Sequence, residues 1–305
     1  METHVQKNSF RSGFVSLIGR PNAGKSSLVN AVIGKKISIV SDTPQTTRHR
    51  FRAVVNSESY QLILVDTPGI HKPHDILGEE LNRAAVKAIE SVDAITFVLD
   101  ASKPFGTGDE WILNLIRNSQ IPRILVISKS DLCKPAIIEK QILTASSFCS
   151  FSDIVVVSAL QNQNIQQFVE VASKYLPEGP RWFPLDVTTD QSLELIISEF
   201  VREKILTSTF DELPHAVGLL VEELNYDQAK DLYRIQADIY VERKSQKGIV
   251  IGAGGEKIKQ IGTEARLDLE HFLGARVFLE LRVKLKKGWR KDASQIRRFG
   301  YGEGI

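Results

Sequence analysis

The sequence predicts a doubly wound α/β domain with a mostly parallel sheet, followed by a smaller α+β domain. Near-continuous apolar runs separated by amphipathic stretches are typical of strands buried between two helical layers. Five such runs occur in the first 180 residues: FVSLI (14–18), QLILV (61–65), AITFVL (94–99), RILVIS (123–128) and IVVVS (154–158). The segment LPEGPRWFP (176–184) ends this alternation, because its prolines stop any helix. The different pattern that follows predicts the second domain.

Amphipathic stretches predict the helices. In the first domain they lie near Lys25–Ile33, Glu79–Ile89, Glu110–Asn118, Ile137–Ser146 and Ile165–Tyr175. The second domain has the order helix, strand, strand, helix, strand, from Ser192–Thr207, HAVGLLVEEL, YRIQADIYVE, Glu256–Leu273 and the run at 275–285. We therefore divide the chain into an N-terminal tail (1–12), a first domain (13–178), a linker (179–190), a second domain (191–290) and a C-terminal tail (291–305).

The composition excludes several protein classes. Hydrophobic residues make up 42% and charged residues 25% of the 305 residues, which is typical of a chain that folds around buried cores. No apolar run reaches the roughly 18 to 20 residues needed to cross a bilayer. The N-terminus METHVQKNSF lacks the apolar region of a secretory signal. Cys133 and Cys149 suggest neither a disulfide framework nor a metal-ligand pair, so we expect a protein of the reducing cytoplasm.

The net charge of +2 conceals an uneven distribution. Lys plus Arg against Asp plus Glu number 19 and 17 in residues 1–180, 5 and 12 in 181–240, and 15 and 8 in 241–305, so the last segment carries +7. Such a basic segment favours a polyanionic partner, either nucleic acid or an anionic membrane surface. A solvated charged face is the alternative that charge alone leaves open.

A phosphate-binding loop follows the first apolar run. Gly19-Arg20-Pro21-Asn22-Ala23-Gly24-Lys25-Ser26 matches G-x-x-x-x-G-K-[ST] between a predicted strand and a predicted helix, and Ser27 continues into that helix. Glycines allow backbone N–H groups to surround a phosphate at the helix N-terminus. In this motif Lys25 reaches the β- and γ-phosphates and the Ser26 hydroxyl binds Mg²⁺.

A second phosphate-side motif, Asp66-Thr67-Pro68-Gly69, follows the run QLILV. A carboxylate at the carboxyl end of a strand beside a phosphate-binding loop is placed to hold Mg²⁺. The Gly69 N–H can approach the γ-phosphate, so this segment senses whether that phosphate is present. We therefore assign Lys25, Asp66 and Gly69 to the catalytic centre.

These motifs resemble the G1 and G3 motifs of the TRAFAC-class GTPases. The base-recognition motif N-K-x-D is present as Ser128-Lys129-Ser130-Asp131, and Ser158-Ala159-Leu160 is similar to G5. The resemblance implies GTP or GDP with Mg²⁺ as ligands, with Asp131 accepting hydrogen bonds from guanine and the Lys129 stem covering the base. Ser128 replaces the usual asparagine. A serine loses the amide that links the base site to the phosphate loop, so we expect weaker nucleotide affinity with guanine selectivity kept.

The string Asp42-Thr43-Pro44-Gln45-Thr46-Thr47-Arg48-His49 resembles switch I of the bacterial Era GTPases. That resemblance makes Thr47 the expected Mg²⁺ ligand and catalytic residue, with Thr46 the alternative. Ras-like enzymes orient the attacking water with a glutamine at the position held here by Ile70. We therefore expect slow turnover that a partner accelerates. His71 and His74 are interpreted as solvated loop residues.

The glycine cluster of the second domain resembles the G-x-x-G loop of a type II KH domain. The candidate RNA-binding residues are Ile251, Gly252, Ala253, Gly254, Gly255, Lys257 and Lys259. In KH domains the glycines admit a nucleic-acid backbone, and an apolar groove, to which Ile251 and Ile258 are assigned, receives unstacked bases. Ala253 stands where many family members have a basic residue, so Lys257, Lys259 or the run 284–287 must supply phosphate affinity.

The resemblance to Era extends from about Gly13 to Arg298. It implies a P-loop GTPase domain followed by a KH domain. A protein of this kind binds the 3′ end of small-subunit rRNA through the KH domain and assists 30S assembly. The resemblance also implies peripheral association with the inner membrane. We expect a monomer that does not bind DNA. Two alternatives stay open, a non-catalytic RNA scaffold that holds GTP and a membrane-surface GTPase. Trp111 is predicted to be core, and Trp289 to stack on bases or to pack.

Overall fold

The computed structural model describes residues 9–41, 46–69, 76–209 and 213–301. The predicted switch residues 42–45 and the segment 70–75, with Ile70, His71 and His74, lie outside these described residues. The chain divides into two compact units. The first contains the described residues up to Lys35, those of 50–69, and Ala85–Asp190; the second contains those of 36–49, 76–84 and from Gln191 onwards. Within the described stretches, no helix combines the length and the apolar character needed to cross a membrane.

The first unit is built on a six-stranded sheet. Its strands are β1 (Arg11–Ile18), β2 (Phe51–Asn56), β3 (Tyr60–Asp66), β4 (Ala94–Asp100), β5 (Arg123–Ser128) and β6 (Asp153–Val156), in the order β2-β3-β1-β4-β5-β6. All neighbouring strands are parallel except β2, which runs antiparallel to β3. Every residue of β4 is buried, as expected for a central strand of a doubly wound sheet. The carboxyl ends of β1, β3, β4 and β5 therefore meet at one edge, and the predicted motifs that begin at Gly19, Asp66 and Ser128 lie there.

The helices of the first unit follow the predicted ones closely. They are α1 (Lys25–Ile33), α2 (Ile76–Glu90), α3 (Thr107–Ile116), α4 (Pro135–Phe148) and α5 (Ile165–Ser173), although the part of α2 before Ala85 is counted with the second unit. The predicted linker belongs to the first unit, because Thr188 and Thr189 pair with β2. Isoleucines, leucines and phenylalanines of β4, α3 and β5 form a core on one side of the sheet.

The second unit packs helices on one face of a three-stranded sheet. Its elements are α6 (Leu193–Ser208), α7 (Leu213–Ala216), β7 (Gly218–Asp227), β8 (Leu232–Val241), α8 (Lys244–Ile251), α9 (Glu256–Leu273), β9 (Arg276–Leu285) and α10 (Ala293–Arg298). The order is β7-β8-β9, with β8 antiparallel to β7 and parallel to β9. Alternate residues of β8, such as Ile235, Ala237 and Ile239, face the helices and are buried. The α+β prediction is confirmed.

Three features differ from the sequence-based expectations. Strand β2 was not predicted, because its alternation is short and follows a polar loop. Residues 291–301, assigned to a tail, include α10, and Trp289, Phe299 and Tyr301 are buried with it in one aromatic cluster. Trp289 therefore packs rather than stacks on a ligand. Trp111 was expected in the core but is 48% exposed, because Ile112 and Leu113 occupy the inward face of α3 instead.

Candidate functional site

The loop Gly19–Ser26 joins β1 to the first turn of α1. Gly24 precedes the helix with φ 92°, a left-handed conformation that favours glycine. Lys25 is buried, and its Nζ donates to the carbonyl oxygens of Gly19 at 3.2 Å and Arg20 at 3.0 Å. Burial lowers the pKa of Lys25 to about 8, against the opposing charge of Asp66. The loop thus places a buried ammonium beside a helix N-terminus, an arrangement suited to phosphate.

Asp66, the last residue of β3, is fully buried and contacts the start of α1. Ser26 Oγ donates to Asp66 Oδ2 at 2.9 Å. Asp66 Oδ1 is buried and has no hydrogen-bond partner among the residues that the structure describes. Burial raises the pKa of Asp66 to about 6, although Lys25, Ser26 and the Thr67 N–H act in the opposite direction. A buried carboxylate oxygen without a partner and an adjacent hydroxyl fit Mg²⁺, which prefers oxygen ligands.

The segment after Asp66 lies against the phosphate loop. Thr67 Oγ1 donates to the Leu17 carbonyl at 2.7 Å. A Cβ placed on Gly69 would lie 2.6 Å from the Pro21 nitrogen, so the close approach requires glycine. Pro68 and Gly69 are both buried. The D-x-P-G turn therefore touches the backbone of the phosphate loop directly, as a segment that responds to phosphate must.

A pocket beside this loop brings the predicted base-binding residues together. It is lined by Gly24, Ser27, Leu28, Ser128, Lys129, Asp131, Leu132, Val157, Ala159 and Leu160. Ser158 is buried next to it, where its Oγ accepts the Gln161 N–H at 3.1 Å and shapes the loop. Apolar side chains on the pocket walls and one carboxylate among them suit a planar base with N–H groups on one edge.

Ser128 links the base pocket to the phosphate loop, although its lack of an amide was expected to remove that link. Its Oγ lies 2.6 Å from the Ala23 carbonyl and 3.2 Å from the Leu99 carbonyl. A hydroxyl has one proton, so it donates to one of these oxygens at a time. The link persists because the Ala23 carbonyl lies within reach of the short side chain. That part of the expectation is corrected, and the effect on affinity stays a prediction.

Two acidic residues that were not predicted as site residues contact predicted nucleotide-binding residues. Asp109, in the first turn of α3, is buried and pairs with Arg20 Nε at 2.9 Å. Asp100, the last residue of β4, accepts a hydrogen bond from Lys129 Nζ at 2.7 Å. Neither residue belongs to a recognisable motif. The signal that could have identified Asp100 is its position at the carboxyl end of a buried strand.

Thr47, the remaining predicted metal ligand, belongs to the second unit. It is buried together with Thr46, whose carbonyl oxygen accepts a hydrogen bond from Arg202 of α6. Arg48 is also buried, and its Nη1 donates to the Val217 carbonyl at 2.7 Å. The role of Thr47 toward Mg²⁺ stays a prediction, but its segment is closely packed.

A buried polar network continues from this segment into α6. Arg202 Nη2 pairs with Glu199 Oε2 at 2.6 Å, and Glu199 Oε1 lies 3.3 Å from His49 Nε2. His49 Nδ1 lies 2.6 Å from the Gly300 carbonyl, which makes Nδ1 the donor. Burial would raise the pKa of Glu199, but Arg202 and His49 hold it at about 2. The carboxylate of Glu199 thus has both of its cationic neighbours, Arg202 and His49, within the chain, whereas Arg202 Nη1 and His49 Nε2 are buried without a hydrogen bond among the described residues.

The G-x-x-G loop connects α8 to α9. Gly252 has φ 75°, and a Cβ there would lie 2.6 Å from Lys257 Cβ. Gly254 and Gly255 have φ 58° and 83°, and no atom lies within 4 Å of a Cβ built on either. Ala253 and Gly254 are exposed. The backbone of this loop is therefore open to the close approach of another chain.

Apolar and basic residues flank the loop. Ile251 and Ile258, predicted to line a base groove, are partly buried against the core of the second unit. Ile249 was not identified from the sequence and is 49% exposed. Lys259 is exposed and Lys257 is half-buried. A surface of mixed basic and apolar character therefore surrounds the open backbone.

The sequence matches two family models, one described as a 50S ribosome-binding GTPase over residues 14–129 and one described as a KH domain over residues 212–290. The structure is similar to that of a variant of Aquifex aeolicus Era bound to GDP and AlF4⁻, with 37% identity and a TM-score of 0.91, over 96% of this chain and 100% of that chain. It is also similar to Era in complex with MgGDPNP and nucleotides 1506–1542 of 16S ribosomal RNA, with 37% identity and a TM-score of 0.90, over 96% and 99% of the two chains. The likeness therefore extends over both units.

Proposed function

The chain belongs to the Era family of GTPases, and we propose that it uses GTP hydrolysis to control how its KH domain binds the 3′ region of small-subunit ribosomal RNA during 30S assembly. The observation that carries this proposal is that the predicted switch residues 46–49 pack among elements of the unit that contains the KH domain. A segment that responds to nucleotide is thereby joined to the RNA-binding unit.

The first unit supplies the groups for nucleotide chemistry except Thr47, which belongs to the second unit. Lys25 binds the β- and γ-phosphates, and backbone N–H groups of the loop Gly19–Ser26, in which Pro21 has none to donate, surround them. Asp131 accepts hydrogen bonds from guanine and disfavours adenine, whose N1 carries no proton. Ser26, Thr47 and Asp66 would hold Mg²⁺, which when bound neutralises charge on the phosphates. The partnerless Asp66 Oδ1 supports this assignment.

Intrinsic hydrolysis is proposed to be slow. Ile70 follows Gly69 in the position where Ras-like enzymes carry the glutamine that orients the attacking water. An isoleucine side chain neither donates nor accepts a hydrogen bond. A partner that acts on switch I or on the segment after Gly69 would therefore increase the rate.

The proposed coupling acts through the contacts of switch I. Thr47, the residue assigned to the metal, is adjacent to Arg48, which bonds to the Val217 carbonyl just before β7. His49 joins Glu199 of α6. Ligation of Thr47 would pull on these contacts, and loss of the γ-phosphate would release them. Nucleotide state would in this way alter the unit that binds RNA.

The RNA interface is proposed to centre on the loop Gly252–Gly255. The open left-handed backbone at Gly254 and Gly255 and the basic residues beside it support contact with a phosphodiester backbone. The charge of +7 in residues 241–305 supports the same partner and also a secondary, peripheral association with the inner membrane. We further propose that the protein is a cytoplasmic monomer and that DNA is not a partner.

Hydrolysis measured with and without RNA tests the proposal. Purified protein with Mg²⁺ is assayed for phosphate release from GTP, with ATP as the control nucleotide, in the presence and absence of an oligonucleotide matching the 3′ end of small-subunit rRNA. We expect slow, GTP-specific release that increases with RNA. Phosphate release at the same rate with and without RNA would contradict the coupling of hydrolysis to RNA binding. No phosphate release in any condition would favour the alternative of a non-catalytic scaffold.

A matched pair of glycine variants tests the KH loop. Gly254 and Gly274 are both left-handed, with φ 58° and 66°, and both have open space around an added Cβ. Gly254→Asp adds a negative charge inside the loop, whereas Gly274→Asp adds it at the far end of α9. We expect RNA binding and RNA stimulation to be lost only in Gly254→Asp. Equal losses in both variants would contradict the proposed interface.

A further inference from the structure

Asp100 contacts Lys129, which lines the base pocket, but belongs to none of the GTPase motifs. It is the last residue of β4 and pairs in register with Ser128, the last residue of β5. It is only 3% exposed. Its two carboxylate oxygens have separate partners, since Oδ1 accepts the N–H and the Oγ–H of Ser102, while Oδ2 accepts Lys129 Nζ at 2.7 Å. The burial of Asp100 would raise its pKa, but the hydrogen bonds from Lys129 and Ser102 outweigh this effect and lower it.

The backbone of Lys129 directs its side chain across the pocket. Lys129 has φ 56°, a left-handed conformation that costs a residue with a Cβ on the order of 1 kcal/mol. Two backbone hydrogen bonds fix this conformation. The Ser130 N–H donates to the Val157 carbonyl at 3.2 Å, and the Leu132 N–H donates to the Lys129 carbonyl at 3.1 Å. Such a conformation persists where the surrounding structure determines it.

The Lys129 stem passes the phosphate loop on its way to Asp100. A Cβ built on Gly24 would lie 4.0 Å from Lys129 Cε, an ordinary van der Waals distance. The stem is therefore fixed at its two ends, by its backbone and by Asp100. Lys129 is one of the residues that line the pocket, and its methylene groups lie between these two points.

We propose that Asp100 is a positioning residue of the base pocket, which holds the Lys129 ammonium so that the lysine stem forms a fixed apolar surface against the guanine ring. The inference rests on the proposed assignment of this pocket to guanine. Asp131 sets which base is accepted, whereas Asp100 sets how tightly it is held, because an unanchored lysine would lose conformational entropy on binding. Asp100 acts through Lys129 and does not touch the base.

A double-mutant cycle tests the proposal. GDP affinity is measured by nucleotide fluorescence for Asp100→Asn, Lys129→Met and the double variant. Asp100→Asn is expected to weaken GDP binding about tenfold, the effect of losing one hydrogen bond to a charged group. Methionine keeps an apolar stem but carries no ammonium, so in the Lys129→Met background the same change is expected to alter affinity by less than about twofold. An undiminished effect in that background would show that Asp100 acts on the fold rather than on Lys129 and would overturn the proposal.

Controls separate the proposal from stability and from the pocket assignment. Asp153→Asn removes the same charge from the same sheet, where Asp153 pairs with Lys174 at 3.9 Å, and is expected to leave GDP affinity unchanged. If Asp100→Asn does not fold, Lys129→Arg replaces it, since arginine keeps a cation for Asp100. Lys129→Arg is then expected to retain most of the affinity that Lys129→Met loses, and equal affinity of the two variants would overturn the proposal.

The base preference of Asp131→Asn distinguishes failure of the pocket from failure of Asp100. Xanthine has a carbonyl where guanine has its amine, so an asparagine amide is expected to shift preference from GDP to xanthosine diphosphate. If that shift is absent, the guanine assignment itself is overturned. If the shift occurs while Asp100→Asn binds GDP normally, only the positioning role is overturned.

Discussion

The phosphate loop and the network around Glu199 both hold charged groups away from water, but they leave those charges in different states. In the first, burial moves the pKa of Lys25 down to about 8 and that of Asp66 up to about 6, so both groups shift toward their neutral forms. In the second, the pKa of Glu199 is held at about 2, because Arg202 and His49 outweigh its burial. The charge of Glu199 is thus stabilised and those of Lys25 and Asp66 are not.

The two regions differ in whether protein partners outweigh burial. Where they do, as at Glu199, a buried group shifts toward ionisation; where they do not, a buried group shifts toward neutrality, as expected of one whose charge is completed by a ligand. Lys25 and Asp66 fit the second case, with phosphate and Mg²⁺ as their proposed partners. Glu199 fits the first, and its role is to hold residues 46–49 in the second unit.

Lys25→Met is expected to have the largest effect. Loss of the ammonium removes stabilisation of the transferring phosphoryl group, and hydrolysis should fall about a thousandfold. The melting temperature of the nucleotide-free protein should not fall, because the variant also removes a charge that burial disfavours. Phosphate release and thermal unfolding measure the two effects. A marked loss of stability would contradict the distinction between the two regions.

Glu199→Gln should show the reverse result, with a loss of stability that is larger than any effect on the hydrolysis rate. The variant leaves Arg202 buried without its anionic partner, which costs about 3 kcal/mol in the free energy of unfolding. Urea unfolding measures this cost. Glu280→Gln, which breaks the exposed pair with Arg282, is the control and should cost less than about 0.5 kcal/mol.

The pH dependence of that cost follows from the lowered pKa of Glu199. A carboxyl with a depressed pKa stabilises the fold fully above its unfolded value of about 4.5, and this contribution is lost as pH falls toward 2. The difference between wild type and Glu199→Gln should therefore shrink between these two values. A constant difference across this range would contradict the ion-pair account.

The contrast also explains what could be predicted from the sequence. The phosphate loop is eight consecutive residues, so its pattern fixes the local backbone and predicts Lys25 and Ser26 directly. The network joins residues 46–49, α6 and Gly300, and one sequence carries no signal that pairs segments so far apart. Asp100 was missed for the same reason, since its partner Lys129 follows another strand, β5. The role of Trp289 was ambiguous in the sequence, because the basic residues around it suggest stacking on a base. In the structure Trp289 is buried against α10, so it packs in the core.

Acid should weaken Mg²⁺ binding through Asp66. With its pKa raised to about 6, this carboxyl is protonated below that pH, and the proton competes with the metal. Apparent Mg²⁺ affinity should fall about tenfold per pH unit below 6. A raised pKa also means that the folded, metal-free protein binds the proton more tightly than the unfolded chain, so its stability falls as pH rises from 3.8 to about 6.

Mg²⁺ titrations of the GDP complex at about pH 5 and about pH 7.5 measure the change in apparent Mg²⁺ affinity. GDP binding measured in EDTA at the same two pH values corrects for protonation of the nucleotide itself. Equal Mg²⁺ affinity at the two values would contradict the assignment of Asp66.

Ser128 should show the smallest effect, because only one neutral hydrogen bond is at stake. Ser128→Ala removes the link to the Ala23 carbonyl and should weaken GDP binding about fivefold. Ser128→Asn should strengthen it by about threefold, since an amide has two donors where the hydroxyl has one. Guanine selectivity should be the same in both, because Asp131 is unchanged. Ser173→Ala is the control, as Ser173 Oγ also donates to a backbone carbonyl, that of Glu170, on the surface of the same unit. Unchanged affinity in Ser128→Asn would show that the single hydroxyl already holds the base pocket to the phosphate loop as firmly as an amide does.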